Sequence, residues 1–343
     1  MGVSPIPCAY FGGTMMTDQI PQAKKDFSRI GLALFTIGGL TTALQLLLSA
    51  LWATSLRGTP VGDAEWMMWV LNFAPMYLIA VPVGLLMMKK VPADMQPGTK
   101  LGGKRFWVLM LMCMPIMYGG NLIGNLLSAI LSGGTAENAL LDFVMGNPIY
   151  TILVAVIIAP LLEEFIFRKQ IIDRLGKYGE KTAILFSALA FGLFHMNLFQ
   201  FFYAFGLGLL FAYVYARTRR LRYSVIMHMI INFMGSVIAP WLLTMLDLEA
   251  LTAIESGEAT MEQIMGMVPG LLAYLGYAGL LMLSSVAGLV LLIINWKKRR
   301  FLPASNELPT GVAGKTAYCN LGMILFMAFC LVMIVFSLVS GLL

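Results

Sequence analysis

The feature that most constrains this chain is its series of long, unbroken apolar runs. A helix needs about 20 mostly apolar residues to cross the hydrocarbon core of a bilayer. Seven segments reach that measure: Ile30 to Trp52, Trp69 to Met88, Phe106 to Ile130, Ile149 to Phe167, Tyr223 to Leu243, Leu271 to Ile294 and Leu321 to Val339. Between Thr182 and Ala216 lies a further apolar stretch, too long for one span and short for two, broken near Asn197 and Gln200. It reads as a helical hairpin. The expected fold is all-α, a polytopic transmembrane helical bundle of about nine spans with a short fifth-sixth hairpin. The composition agrees, with 59% hydrophobic and only 12% charged residues.

Charge supplies an independent test, because short cytoplasmic loops collect Lys and Arg. With the N-terminus inside, the inner segments hold 22 of the 23 basic residues and leave Arg57 alone outside. They cluster at Lys24 to Arg29, Lys89 to Arg105, Arg168 to Lys181, Arg217 to Arg222 and Lys297 to Lys315. The outer loops carry acids instead, notably Asp247, Glu249, Glu255, Glu258 and Glu262. This alternation requires residues 182 to 216 to cross twice, so it supports the hairpin. It places the N-terminus in the cytoplasm and the C-terminus outside the cell membrane. The six tryptophans fall near span ends, where an amphipathic ring prefers to lie.

The net charge of +6 is explained by topological anchors facing anionic lipid, so no nucleic-acid partner is expected. The first 29 residues show no short apolar region with a cleavage site, and no removable signal peptide is expected. The four cysteines (8, 113, 319 and 330) lack paired spacing and read as small core hydrophobes. No internal repeat is visible, which argues against the two-halves plan of many transporters. Asn121 and Asn125, at i, i+4, read as a helix-helix hydrogen-bonding pair, and Gly206 and Gly208 as packing positions.

The strong polar groups inside spans are concentrated between 163 and 232. The chain has only two histidines, His195 and His228, and both fall in this region. Ionisable groups at membrane depth are costly and are read as functional by default. Glu164 and Arg168 stand at i, i+4 in the favourable order for an ion pair. Glu163 points about 100° away and escapes that pairing. His228 and Asn232, and likewise Phe191 and His195, repeat the i, i+4 spacing. Pro160 removes a backbone donor just before the acidic pair, leaving carbonyls to line a cavity.

These residues form three ordered patterns: Glu163-Glu164-Phe165-Ile166-Phe167-Arg168 as EExxxR, Phe191 to His195 as FxxxH, and His228 to Asn232 as HxxxN. The set resembles the CAAX proteases and bacteriocin-processing enzymes, a family of intramembrane glutamic proteases that includes the Ras-converting CAAX endopeptidase and bacterial Abi proteins. The resemblance covers about residues 148 to 240, and the core looks bacterial. It implies a domain plan of a cytoplasmic tail at 1–29, N-terminal spans at 30–147, a catalytic core at 148–244, and an extracytoplasmic loop with C-terminal spans at 245–343.

The resemblance implies an endopeptidase in which Glu163 is the general base on a water held jointly with His195. His228 and Asn232 would form the oxyanion site, and Glu164, Arg168 and Phe191 would support. No cofactor and no metal are called for. The cavity is expected to face the cytoplasmic side, with a peptide or protein substrate near that membrane surface. Maturation of a peptide, pheromone or bacteriocin, or immunity to one, fits a bacterial chain better than a prenylated CAAX tail. Three alternatives stand beside it: a non-catalytic scaffold or immunity protein, a zinc protease, for which HExxH is absent, and a proton-coupled transporter. Oligomeric state is not legible.

Depth sets one more condition. Glu163 lies about 21 Å along its span, and a fifth helix starting at Thr182 would carry His195 about 20 Å from the other side, too far out for contact. The helix is therefore expected to begin among Lys177 to Lys181 and turn back early, with the tip Met196 to Gln200 shielded by protein.

Overall fold

The computed structural model describes the chain except for residues 1–13, 95–96, 139–140, 142–143, 247–251, 255, 257–259 and 340–343. The expected outer acids Asp247, Glu249, Glu255 and Glu258, and Cys8, lie outside the described residues. Most of the rest is helical, with no strand among the described residues. The rods are α1 (Thr14–Leu51), α2 (Glu65–Met88), α3 (Gly103–Ser132), α4 (Pro148–Tyr178), α5 (Glu180–Phe194), α6 (Leu198–Thr218), α7 (Leu221–Leu243), α8 (Met261–Trp296), α9 (Thr310–Tyr318) and α10 (Leu321–Val339). α1 starts well before Ile30, so part of the expected tail is helix.

Among the described residues, eight helices are long and apolar enough to cross a membrane, and the chain is a multi-pass membrane protein. Many large apolar side chains face outward along them, such as Leu78, Leu122 and Leu283. That surface suits lipid rather than water. The expected short fifth-sixth hairpin is present, with α5 as its shorter arm. The 15 residues of α5 rise about 22 Å, short of the ~30 Å hydrocarbon core. It begins at Glu180, among the basic residues, and stops at Phe194, as the depth argument required.

The turn at its end is built from two local devices. Met196 takes a left-handed conformation (φ 56°), uncommon for a residue with a Cβ. The Asn197 side chain then caps α6 by accepting from the Gln200 backbone N–H at 2.9 Å. None of Met196 to Gln200 is exposed. The tip is covered by α3, where Gly120 and Gly124 let the backbones touch. An added Cβ would stand 2.5 Å from the Tyr203 nitrogen at Gly120 and 2.4 Å from the Leu198 oxygen at Gly124. Gly208 meets Ala188 of α5 and Gly206 meets Ile116 of α3, so both serve packing within the chain.

Two cores hold the bundle around the hairpin. One joins Phe27, Ile30, Leu34 and Ile37 of α1 to Phe186 of α5 and Phe326 of α10. The other joins Met110, Cys113 and Met117 of α3 to Phe211 of α6 and Met227 and Ile231 of α7. Cys113 and Cys330 are buried as expected, whereas Cys319 is exposed. At the basic end, Asp173 of α4 accepts from the Tyr215 hydroxyl (2.9 Å) and pairs with Lys169 (3.0 Å) and Arg219 (3.2 Å). Asp26 of α1 pairs with Lys177 (3.2 Å) and accepts from the Tyr178 hydroxyl (2.7 Å). Several basic residues read as membrane anchors thus also lock helix ends together.

Because Gly124 has no room for a side chain, Gly124→Leu is expected to destabilise the protein by about 1–3 kcal/mol through overpacking. Thermal unfolding in detergent measures this, with Gly119→Leu, whose Cβ position is open, as the neutral control.

Candidate active site

The three sequence patterns lie on α4, α5 and α7, and all three helices bring their polar groups to one place. α4 is not uniform there. Wide π turns occupy Thr151–Ile158 and Glu164–Gln170, flanking a short α-helical piece, Ala159–Glu163. Such turns recur at functional sites because they re-aim side chains and free backbone groups. Pro160 has no N–H to give to the i→i+5 ladder, whose acceptor at that register is the Ala155 carbonyl. The Asn232 side chain of α7 supplies the missing donor, Nδ2 to Ala155 O at 2.8 Å.

Glu164 and Arg168 form the expected ion pair at 3.0 Å, with both side chains 0% exposed. Arg168 is sandwiched by aromatic faces, its guanidinium carbon 4.4 Å from the Phe191 ring centroid and 5.8 Å from that of Phe211. Its Nη1 donates to Ser187 Oγ at 3.3 Å, and that hydroxyl donates to the Phe167 carbonyl at 2.6 Å. The buried cation is thus held by α4, α5 and α6 together.

His228 stands between the two glutamates. Its Nδ1 is 3.2 Å from Glu164 Oε1 and its Nε2 is 3.7 Å from Glu163 Oε2. The ring is packed by Phe191 and Phe211, with centroids at 5.7 and 5.5 Å. Glu163 differs from its neighbour in being partly open, with its side chain 20% exposed. His195 directs Nδ1 to the Phe191 carbonyl at 2.9 Å and lies edge-on to the Phe191 ring at 4.9 Å.

The structure brings all seven predicted residues to one region but arranges them differently in two respects. The imidazole nearest Glu163 is that of His228. Among the described residues no ion pair joins His195 to either glutamate, although Glu163 is within its electrostatic range. Asn232 presents its amide to Ala155, and only the remainder of its hydrogen-bonding capacity is open to a ligand.

Asn232 also lines a cavity of about 630 Å³ between α3, α6, α7 and α8. That cavity is bordered by Asn138 and Val144 in the α3–α4 connection and by Leu243 at the end of α7. It therefore extends toward the end of the bundle opposite the basic loops.

Sequence reasoning passed over Ser187, Phe211 and Tyr77. Ser187, Phe191 and His195 repeat at four-residue intervals on α5, a signal that could have found the first. Phe211 is one aromatic among many in an apolar helix and carries no signal. Tyr77 of α2 is within electrostatic range of Glu163, and its buried hydroxyl has no hydrogen-bond partner among the described residues.

Removing one partner of a buried pair strands the other charge. Arg168→Met is accordingly expected to cost about 3–5 kcal/mol of stability, whereas Glu163→Gln, at the half-open carboxylate, is expected to leave thermal unfolding nearly unchanged. Parallel melts of the two variants check the contrast.

Comparison with known proteins now bears on this site. Residues 145–234 match the model of the family described as type II CAAX prenyl endopeptidase Rce1-like, a span that contains all the residues just described. The chain is also 30% identical over 166 residues to the "Putative membrane peptidase YdiL" of Bacillus subtilis (strain 168), a match covering 46% of this chain and 66% of that protein. The chain thus spans a little under two thirds of that relative's length. No solved structure matches. The α4–α7 segment that carries the buried glutamates and histidines is thus the part of the chain that is similar to the Rce1-like CAAX proteases.

Proposed function

We propose that this protein is an intramembrane endopeptidase that hydrolyses a peptide bond with water activated by Glu163. The observation that carries the reading is the placement of His228 between a sealed carboxylate and a half-open one, at 3.2 and 3.7 Å. A structural ion pair needs only the sealed carboxylate. The second, partly open to its surroundings, is what hydrolysis requires.

Each group has a role in that chemistry. Glu163 takes a proton from water, whose oxygen attacks the carbonyl carbon of the scissile bond. His195, with Nδ1 engaged by its own helix, offers Nε2 to orient that water. The developing oxyanion is stabilised by His228, when its ring is protonated, through Nε2, and by the second amide hydrogen of Asn232. The C–N bond then breaks and the departing amine takes the proton held by Glu163. Glu164 fixes the His228 ring through Nδ1, and Arg168 neutralises Glu164 in turn. Phe191 packs against Arg168 and both imidazoles.

The substrate class is a peptide held at the membrane, in keeping with the family description as a CAAX prenyl endopeptidase. The cavity reaching Asn232 favours approach from the half of the bundle away from the basic loops. The distribution of Lys and Arg supports a cell-membrane location with the N-terminus in the cytoplasm and the C-terminus outside. The 148–244 segment would then be the catalytic part.

The test is cleavage of quenched-fluorescence, lipid-anchored peptides by the purified full-length protein in nanodiscs. Wild type is expected to cleave, and Glu163→Gln and His228→Ala to lose at least ~100-fold with folding retained. Asn232→Ala should lower kcat about 10²–10³-fold with little change in KM. Cleavage that survives Glu163→Gln would overturn the mechanism. A folded wild type that binds the peptides without cutting any would favour the scaffold reading, and loss of activity to a chelator would favour a metal enzyme.

A further inference from the structure

A second cavity, of about 460 Å³, opens at the basic end of the bundle and shares no lining residue with the one that reaches Asn232. Its size is that of an ordinary ligand pocket. Three helices build it in the same way, each placing a cation at the rim beside an apolar stripe. On α3 the stripe is Arg105, Val108, Leu109, Met112 and Ile116, all on one helical face. On α5 it is Lys181 followed by Ile184 and Leu185. α8 ends with Leu292, Asn295 and Trp296 and is followed at the rim by Lys298 and Arg299. Leu209 and Leu210 of α6 close the back.

Depth is informative. From Arg105 to Ile116 the helix rises about 16 Å. That is close to half of the ~30 Å hydrocarbon core, the thickness of a single leaflet. Trp296 stands at the rim, 55% exposed, where an aromatic ring marks the headgroup level.

The rim cations differ from four others at this end of the bundle. Lys169, Lys177, Arg217 and Arg219, at the same end of the bundle, are each paired with a carboxylate. Arg105, Lys181, Lys298 and Arg299 make no ion pair among the described residues. The cavity lining contains no Asp or Glu. The adjacent Glu180 is already taken by Arg217 at 3.4 Å and by the Leu302 backbone N–H. Arg299 lies 3.2 Å from the Trp296 ring centroid and donates Nε to the Trp296 carbonyl, which fixes the guanidinium and leaves its other donors unengaged among the described residues. Four unpaired cations above a leaflet-deep apolar slot call for a ligand with one anionic end and one hydrocarbon end.

We propose that this slot is a binding site for an anionic phospholipid of the leaflet next to the basic loops. One acyl chain fills the groove between α3, α5, α6 and α8. The headgroup phosphate sits among Arg105, Lys181, Lys298 and Arg299, as in basic pockets between membrane helices generally. Neither the site nor its test involves the glutamate–histidine cluster.

The experiment is native mass spectrometry of the full-length protein released from nanodiscs containing equal amounts of phosphatidylglycerol and phosphatidylcholine with identical acyl chains. Wild type is expected to retain the anionic lipid at least 10-fold over the zwitterionic one. Arg105→Gln/Lys181→Gln/Arg299→Gln should bring that ratio close to one. Leu209→Trp, which fills the slot and keeps the cations, should lower retention of the anionic lipid several-fold. Inorganic phosphate at the same concentration should not displace it. Equal retention of the two lipids by wild type overturns the site, and that comparison decides even where a variant fails to fold. An unchanged preference in the folded triple variant overturns it as well. Displacement by phosphate, or indifference to Leu209→Trp, would reduce it to a surface anion site and refute the lipid assignment.

Discussion

The arrangement depends on one requirement, that a guanidinium and a carboxylate placed inside an apolar bundle be neutralised on the spot. Arg168 and Glu164 are sealed from solvent, and a lone charge at that depth would be prohibitive. The pair therefore recruits what surrounds it: Phe191 and Phe211 against the guanidinium, Ser187 at its edge, and His228 on the same carboxylate oxygen that Arg168 contacts. These side chains come from α5, α6 and α7, so satisfying one buried cation draws four helices together. Glu163 is then delivered next to His228 as the neighbour in sequence of a residue that cannot move.

The hairpin serves the same end by being short. The start of α5 at Glu180 sets the depth of His195, and the left-handed turn at Met196 followed by the Asn197 cap ends the helix just beyond it. α3 seals this irregular backbone with the glycine face of Gly120 and Gly124, which keeps non-helical polar groups away from lipid. The order of causes runs from small residues on α3, to a close approach of α6, to a protected turn, to the position of one imidazole.

Much of this was legible in the sequence because charge is scarce in membrane spans. Two glutamates, an arginine and two histidines stand out against an apolar background, and their i, i+4 spacings already assign faces. The break at Asn197 and Gln200 likewise announced the hairpin. What was not legible arises from packing. Phe211 is indistinguishable from other span aromatics, and no spacing in α4 marks where its π turns fall. The direction of the cavity at Asn232 follows from gaps between four helices, which no spacing within a single helix encodes. The basic residues were read for topology alone, and only coordinates separate Arg219, locked to Asp173, from Arg105, which makes no ion pair among the described residues.

The bond from Asn232 to the Ala155 carbonyl makes the seam between α4 and α7 behave as a latch. If those helices part, a bare carbonyl is left in a greasy wall with no backbone partner, because proline took that partner away. The cheapest replacement is the N–H of an extended chain lying in the gap. Entry of a polypeptide would then restore what opening removes, and without one the seam would favour staying shut.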